Sequence, residues 1–407
     1  MKYTSNFSKI SKDIVFNIIA NLIPAAVLQL VVLPYIAREL GDESNGKFLT
    51  ILALLHFIVP ITSNSLSTAK LLLNQKYQEE KKCGDFNLWL SIFGISNTAL
   101  VVIGCLFYFD GLYSFDIFTI CLLSLIWMIK DYLLVEFRLS LTYSKILINN
   151  LFLSIGFFIG ILIFNYFPQW YVIFICGYSF AIIHAILATT LLQEPIRITD
   201  NFNLLSKVII KLAGANILGL LAVNMDRLLL FPIAGGAVVS IYFSASIIGK
   251  MMTLISSPIS NVFLSYFVRI KHISLSNLHR LLIITVGLGL IAYFVILLIS
   301  PFLLEWLYPL WYHESMQYIP LTSGISALEL VITLTNPILL RFCGVNTQMK
   351  LQTVYFLLYL LCGLLFYQFW GLIGFATGIL LATFIKMILT CYHLIKSIST
   401  INKKISS

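Results

Sequence analysis

The sequence predicts an all-α integral membrane protein with about 12 transmembrane helices in two six-helix bundles. Three observations carry that prediction. Only 11% of the 407 residues are charged and 59% are hydrophobic, whereas about a quarter are charged in soluble domains. Apolar stretches of about 20 residues, enough to cross the hydrocarbon core, recur along the chain with short polar breaks between them. The longest break between central spans, QEPIRITDNFNLLSK from Gln193 to Lys207, divides the spans six and six.

The first span, 14–36, follows the lysine-bearing start MKYTSNFSKISKDIVFNIIA. Its apolar run continues through Val32 with no small-residue cleavage site, so it reads as a retained helix and not as a signal peptide. The first half continues with spans near 48–69, 87–109, 114–136, 146–167 and 170–192. The second half has 208–231, 237–266, 280–304, 317–340, 351–369 and 371–394. The expected organisation is one bundle over 1–195, a cytoplasmic linker over 196–207 and a second bundle over 208–407.

With the N-terminus in the cytoplasm, 22 of the 26 Lys and Arg residues fall at or near one face. They run from Lys2, Lys9 and Lys12 through Lys70, Lys130 and Arg197 to Lys386, Lys396, Lys403 and Lys404. The exceptions are Arg38, Lys47, Arg227 and Lys250. Such a bias fixes orientation, with both termini cytoplasmic, so the net charge of +9 is a topology signal and not a nucleic-acid footprint. Seven cysteines scattered singly indicate neither a disulfide framework nor a zinc site.

Internal similarity supports duplication. A shift of 194 residues aligns Gly41-DESN-Gly46-K-Phe48 with Gly235-GAVV-Ser240-I-Tyr242, and Ile61-T-Ser63 with Ile255-S-Ser257. The same shift sets His56 opposite Lys250, each about 15 to 20 Å from the outer end of its span at 1.5 Å per residue. A central lysine costs about 2.5–3.5 kcal/mol on insertion scales, so Lys250 should face a watery cavity, an anionic ligand or a structural acid. His56 can serve the same cavity or hydrogen-bond a neighbouring helix.

Span seven ends AVNMDRLLLF, which places Asn224, Asp226 and Arg227 in apolar company. Neighbouring positions on a helix point about 100° apart, so Asp226 and Arg227 cannot form an ideal mutual pair; inter-helix salt bridge and substrate contact both remain open. Asn17, Asn21, Pro24 and Gln29 approximate one face of span one. Polar, proline-interrupted stretches close span two (Pro60, Ser63, Asn64, Ser67, Thr68) and span eight (Ser256, Ser257, Pro258, Ser260, Asn261), as on a substrate path. Glu329 in span ten is the remaining central carboxylate, either a site for a coupling proton or cation or a counter-charge for Lys250.

Other chemistry is excluded by what the chain lacks. The outer loops, Gly41–Lys47 and Pro232–Ala237 among them, are too short to hold the catalytic domain of a membrane glycosyltransferase or polymerase. Gly287 and Gly289 lie inside a span with no strand before them, so they read as packing residues and not as a nucleotide loop. The pairs Gly156/Gly160 and Gly374/Gly378 match the small-xxx-small pattern of close helix contact. No cofactor site and no catalytic constellation emerge, and a transporter fits better than an enzyme.

PYIARELGDESNGKF after span one and VNMDRLLLFPIAGGAVVSIYFSAS across spans seven and eight resemble paired motifs of polysaccharide exporters. With the six-plus-six division and the length, the chain is similar to the O-antigen and capsular repeat-unit flippases of the multidrug/oligosaccharidyl-lipid/polysaccharide (MOP) exporter superfamily. The resemblance implies a V-shaped, MATE-like pair of bundles around a cavity lined by spans one, two, seven and eight. It implies alternating-access translocation of an undecaprenyl-pyrophosphate-linked oligosaccharide across a bacterial cytoplasmic (inner) membrane, with a polysaccharide polymerase and chain-length regulator as partners. Lys250, Arg227 and His56 would meet the pyrophosphate; drive would come from proton or sodium coupling or from downstream consumption. Spans one and two depart from related flippases in offering amides and His56 where several arginines are usual. The alternative is a cation-coupled multidrug or small-solute exporter of the same superfamily.

Overall fold

The computed structural model describes residues 19–80, 82–109, 113–267 and 273–406. Asn17 and Lys2, Lys9 and Lys12 lie outside the described residues, as do the side chains of Ser257, Pro258 and Asn261. Among the described residues, 10 helices are long and apolar enough to cross a membrane. These are α1 Ile19–Leu40, α2 Asp42–Glu79, α3 Asp85–Tyr108, α4 Ser114–Leu139, α5 Tyr143–Phe164 and α6 Trp170–Ala188. The others are α7 Phe202–Phe267, α8 Leu275–Leu307, α9 Ile319–Cys343 and α10 Val345–Ser406.

Two of the ten are double. A straight α10 would hold Gln352 and Lys386 about 50 Å apart at 1.5 Å rise per residue, yet Lys386 Nζ donates to Gln352 Oε1 at 3.0 Å. The Tyr355 and Thr383 hydroxyls meet at 3.5 Å, and the Tyr359 and Phe375 rings at 6.3 Å, about the same pivot. The pivot is Trp370 and Gly371, whose backbone leaves the helical region. α10 is therefore a hairpin of two limbs. α7 breaks likewise at Gly235, and counting limbs gives the expected twelve spans of an all-α, multi-pass integral membrane protein.

Single glycines make these corners. Gly41 (φ 71°, ψ −176°) and Gly235 (φ 79°, ψ 177°) share one conformation, which lies outside the space open to residues with a Cβ. The two positions that the 194-residue shift aligns thus have the same backbone. The expected outer loops Gly41–Lys47 and Pro232–Ala237 shrink to one residue each: Asp42–Lys47 already belongs to α2, whose first turn places Asp42 and Glu43 at the positive end of the helix dipole.

Helix packing follows the small residues. A Cβ on Gly156 would stand 2.7 Å from Gly177 Cα, and one on Gly160 2.6 Å from Ile173 Cα, so α5 and α6 touch backbone to backbone. Gly374 and Gly378 close the α10 hairpin against the Phe366 and Cys362 carbonyls in the same way. Gly289 packs on Val331 of α9, while among the described residues nothing lies within 4 Å of where a Cβ on Gly287 would stand.

The chain forms two compact units, the first ending at Val239 and the second beginning at Ser240. The expected linker lies inside the first. Asn87 Nδ2 donates to the Leu191 and Glu194 carbonyls, and Asp85 accepts from the Thr199 amide and hydroxyl. Lys70 Nζ meets Glu194 at 2.9 Å, and Asn201 bonds Glu80 at 2.6 Å. The first limb of α7 then joins the same unit through Asn216 to Ser65 and Tyr108 to the Leu228 carbonyl. In the second unit, Leu278 and Leu282 of α8, Ile338 of α9 and Leu351 and Leu394 of α10 share one apolar core.

Candidate functional site

In the first unit the site grows from α2, α4 and α6. His56 sits one turn before Pro60, whose ring nitrogen cannot donate to the His56 carbonyl. The half-buried His56 ring meets the Trp127 ring edge-on, 4.9 Å between centroids at 89°. Trp127 stacks on Tyr178 at 4.7 Å and donates its indole N–H to Asp131 at 2.9 Å. Asp131 also accepts from Lys130 at 2.8 Å, and Lys130 lies 5.7 Å from the Tyr178 ring centre. The result is a polar and aromatic cluster enclosing an ion pair.

That pair escapes sequence reasoning, which counts Lys130 as a rim charge and does not weigh Asp131. The available signal is Trp127 and Asp131 four residues apart on one helical face. Lys70, counted in the same way as a face charge, is also buried: it pairs with Glu194 and lies over the Phe86 ring at 4.3 Å.

Asn224, Asp226 and Arg227 lie buried in the first limb of α7. One guanidinium nitrogen of Arg227 donates to Asn224 Oδ1 at 2.8 Å, and Asn224 donates to the Leu220 carbonyl at 2.9 Å. Asp226 and Arg227 stand 3.8 Å apart, a loose ion pair too long for a hydrogen bond, as their angular separation on the helix requires. The charge of Arg227 acts on His56, so these two candidates share one electrostatic environment.

Asn21 is exposed on α1, which is tethered where Asn150 Nδ2 donates to the Ala20 carbonyl at 2.8 Å. Further on, α1 passes through a π-helical turn, Leu28–Val32. Pro34, just beyond it, cannot donate into the ladder, and the wider turn accommodates that loss. Gln29 lies in this turn with its side-chain oxygen buried and unbonded among the described residues.

Lys250 and Glu329 belong to the second unit. Lys250 is half-buried in the second limb of α7. Glu329, in α9, acts electrostatically on Lys386 of α10, a partner not foreseen in the sequence. Lys386 also lies 4.1 Å from the Tyr355 ring centre and lines a cavity of about 180 Å³ with Thr333, Asn336, Gln348, Gln352 and Thr390. Ser260 ties α7 to this wall by donating to the Thr333 carbonyl at 2.8 Å. Among the described residues no group of three or more His, Cys, Asp or Glu is placed to hold a metal ion.

No family model matches the sequence, and no curated protein matches it. Among solved structures, the chain is similar to an inward-facing multidrug resistance MATE family transporter of the MOP superfamily. The TM-score is 0.70 at 13% identity, over 95% of this chain and 99% of that one. It is similar to an outward-facing multidrug resistance MATE family transporter, with TM-score 0.64 at 15% identity over 96% of each chain. It is also similar to MATE in the bent conformation, with TM-score 0.58 at 14% identity over 98% of this chain and 97% of that one. The chain therefore has the fold of the MATE transporters of the MOP superfamily.

Proposed function

We propose that the protein is a flippase that moves undecaprenyl-pyrophosphate-linked oligosaccharide repeat units from the cytoplasmic to the outer leaflet of a bacterial inner membrane. The observation that carries this reading is Arg227, buried in the first limb of α7 and hydrogen-bonded to Asn224; Lys250, half-buried in the second limb, supplies a second cation. Cations kept at membrane depth suit a pyrophosphate, because desolvation strengthens the attraction that would bind it. Asn21 and Asn224 are suited to sugar hydroxyls. The motif resemblance around Gly41 and Asp226 and the MATE-like fold support the same reading, with six spans in each half, cytoplasmic termini and access alternating between the faces. Glu329 is the proposed coupling-ion carboxylate. A polysaccharide polymerase and a chain-length regulator are the proposed neighbours in that membrane.

A second reading is a cation-coupled multidrug exporter, favoured by the description of two of the similar solved structures as multidrug resistance transporters. Surface glycan in a deletion strain complemented with wild type, Lys250→Ala, Lys250→Arg or Arg227→Ala separates the two. The flippase reading expects lost glycan and accumulated lipid-linked repeat for the alanine variants and recovery for Lys250→Arg. Normal glycan in the uncomplemented deletion, together with lost drug efflux, moves the assignment to the exporter.

A further inference from the structure

The second unit ends in a stretch of chain with charge of one sign. Residues 330–407 contain Arg341, Lys350, Lys386, Lys396, Lys403 and Lys404 and no Asp or Glu. Where α9 ends and the second limb of α10 passes it, a cavity of about 400 Å³ opens, lined by Phe342, Thr347, His393, Lys396 and Thr400 among others. Its walls are cross-braced: Ser397 donates to the Phe342 carbonyl at 2.9 Å, and the Cys343 thiol to the His393 carbonyl at 3.5 Å. Arg341 stands close by, 6.0 Å from the Phe342 ring centre, and the exposed Lys396 rests 5.7 Å from the Tyr392 ring centre. Thr347 places the first turn of α10, with its outward backbone N–H groups, in the same wall.

An apolar track leads to this pocket. Leu381, Phe384, Ile388 and Tyr392 are 40%, 45%, 48% and 54% exposed and follow one another at helical spacing along α10, ending beside His393. A basic cavity with no carboxylate in its lining, at the end of an exposed apolar stripe, has the two-part chemistry of an anionic lipid: a phosphate and acyl chains.

We propose that this cavity binds the phosphate headgroup of an anionic bilayer phospholipid, with Lys396 as its cationic contact, His393 as a hydrogen-bonding contact and the Leu381–Tyr392 face alongside the acyl chains. Its lining includes none of Arg227, His56 and Lys250, so the proposal stands whichever substrate the transporter carries.

The test is thermal unfolding of the purified full-length protein in neutral detergent, titrated with phosphatidylglycerol, phosphatidylcholine or inorganic phosphate. Phosphatidylglycerol should raise Tm saturably and phosphatidylcholine should not. The double variant H393Q/K396Q should need at least fivefold more phosphatidylglycerol for half the shift, while Lys396→Arg and the exposed control Lys350→Gln should stay within twofold of wild type. Native mass spectrometry of the wild type should show one phosphatidylglycerol retained, a readout that does not depend on any variant folding. Equal shifts with both lipids, or equal losses in Lys350→Gln and the double variant, would overturn the site as general surface electrostatics. A full shift with inorganic phosphate alone would overturn the lipid assignment in favour of a free-anion site.

Discussion

A single methyl group at Gly46 should uncouple two helix ends. A Cβ there would lie 2.0 Å from the Gly236 carbonyl oxygen, where ordinary contact begins near 3.4 Å, so the backbones must part by about 1.4 Å. The Glu43 carboxylate accepts from the Gly236 and Ala237 N–H groups at 3.1 and 3.2 Å, capping the second limb of α7, and such a shift stretches both bonds past 3.5 Å. Overpacking costs about 1–3 kcal/mol and a lost cap about 1 kcal/mol, while replacing a helical glycine by alanine returns about 0.5–1 kcal/mol. Gly46→Ala should therefore lose about 1–3 kcal/mol, roughly 2–6 °C in Tm, measured by tryptophan fluorescence in detergent. Glu43→Gln alone should lose less than about 1 kcal/mol, because the carboxylate is exposed and screened. In the Gly46→Ala background it should lose almost nothing more, because the cap is already broken. Wild-type stability for Gly46→Ala, or additive losses in the double variant, would refute the argument.

Lys130→Met should destabilise the first unit by about 3–5 kcal/mol by leaving the Asp131 carboxylate beside it uncompensated, and Asp131→Asn in the same chain should restore part of the loss; thermal unfolding of the four variants checks both. The Lys82 and then Asn201 hydrogen bonds hold the Glu80 carboxyl below the usual carboxylate range. Its contribution to the strap over 191–201 is present above about pH 4.3 and lost as pH falls through the lower folded value. Proteolysis at 191–201 should rise only under acid in wild type and already at neutral pH in Glu80→Gln. Lys386→Met should cost less stability in a Glu329→Gln background than in wild type, since the two charges are coupled; equal costs would show that they act independently.

The spans were legible because a twenty-residue apolar run has few other uses, and the corners at Gly41 and Gly235 stood out through their repeat. The roles of Lys70, Lys130 and Lys386 were not. Counting positive charges assigns a lysine to a membrane face but cannot see Glu194 or Asp131 paired with it, or Glu329 acting on it. His56 reads as an isolated ring because Trp127 is distant in sequence, and only helix packing brings them to 4.9 Å. Polar composition marked 196–207 as a linker but did not show its anchors, the bonds from Thr199 to Asp85 and from Asn201 to Glu80.

The α10 hairpin bears on how the protein enters its membrane. The second limb alone would present the Lys386 ammonium, near the membrane face to which the charge bias assigns it, with no polar neighbour from the first limb. The preceding limb holds Gln352 and Tyr355 at the height where that ammonium arrives. The tight corner at Trp370 and Gly371 leaves no room for the limbs to insert far apart. The two limbs are thus matched to leave the insertion machinery together, each supplying the polar company the other lacks.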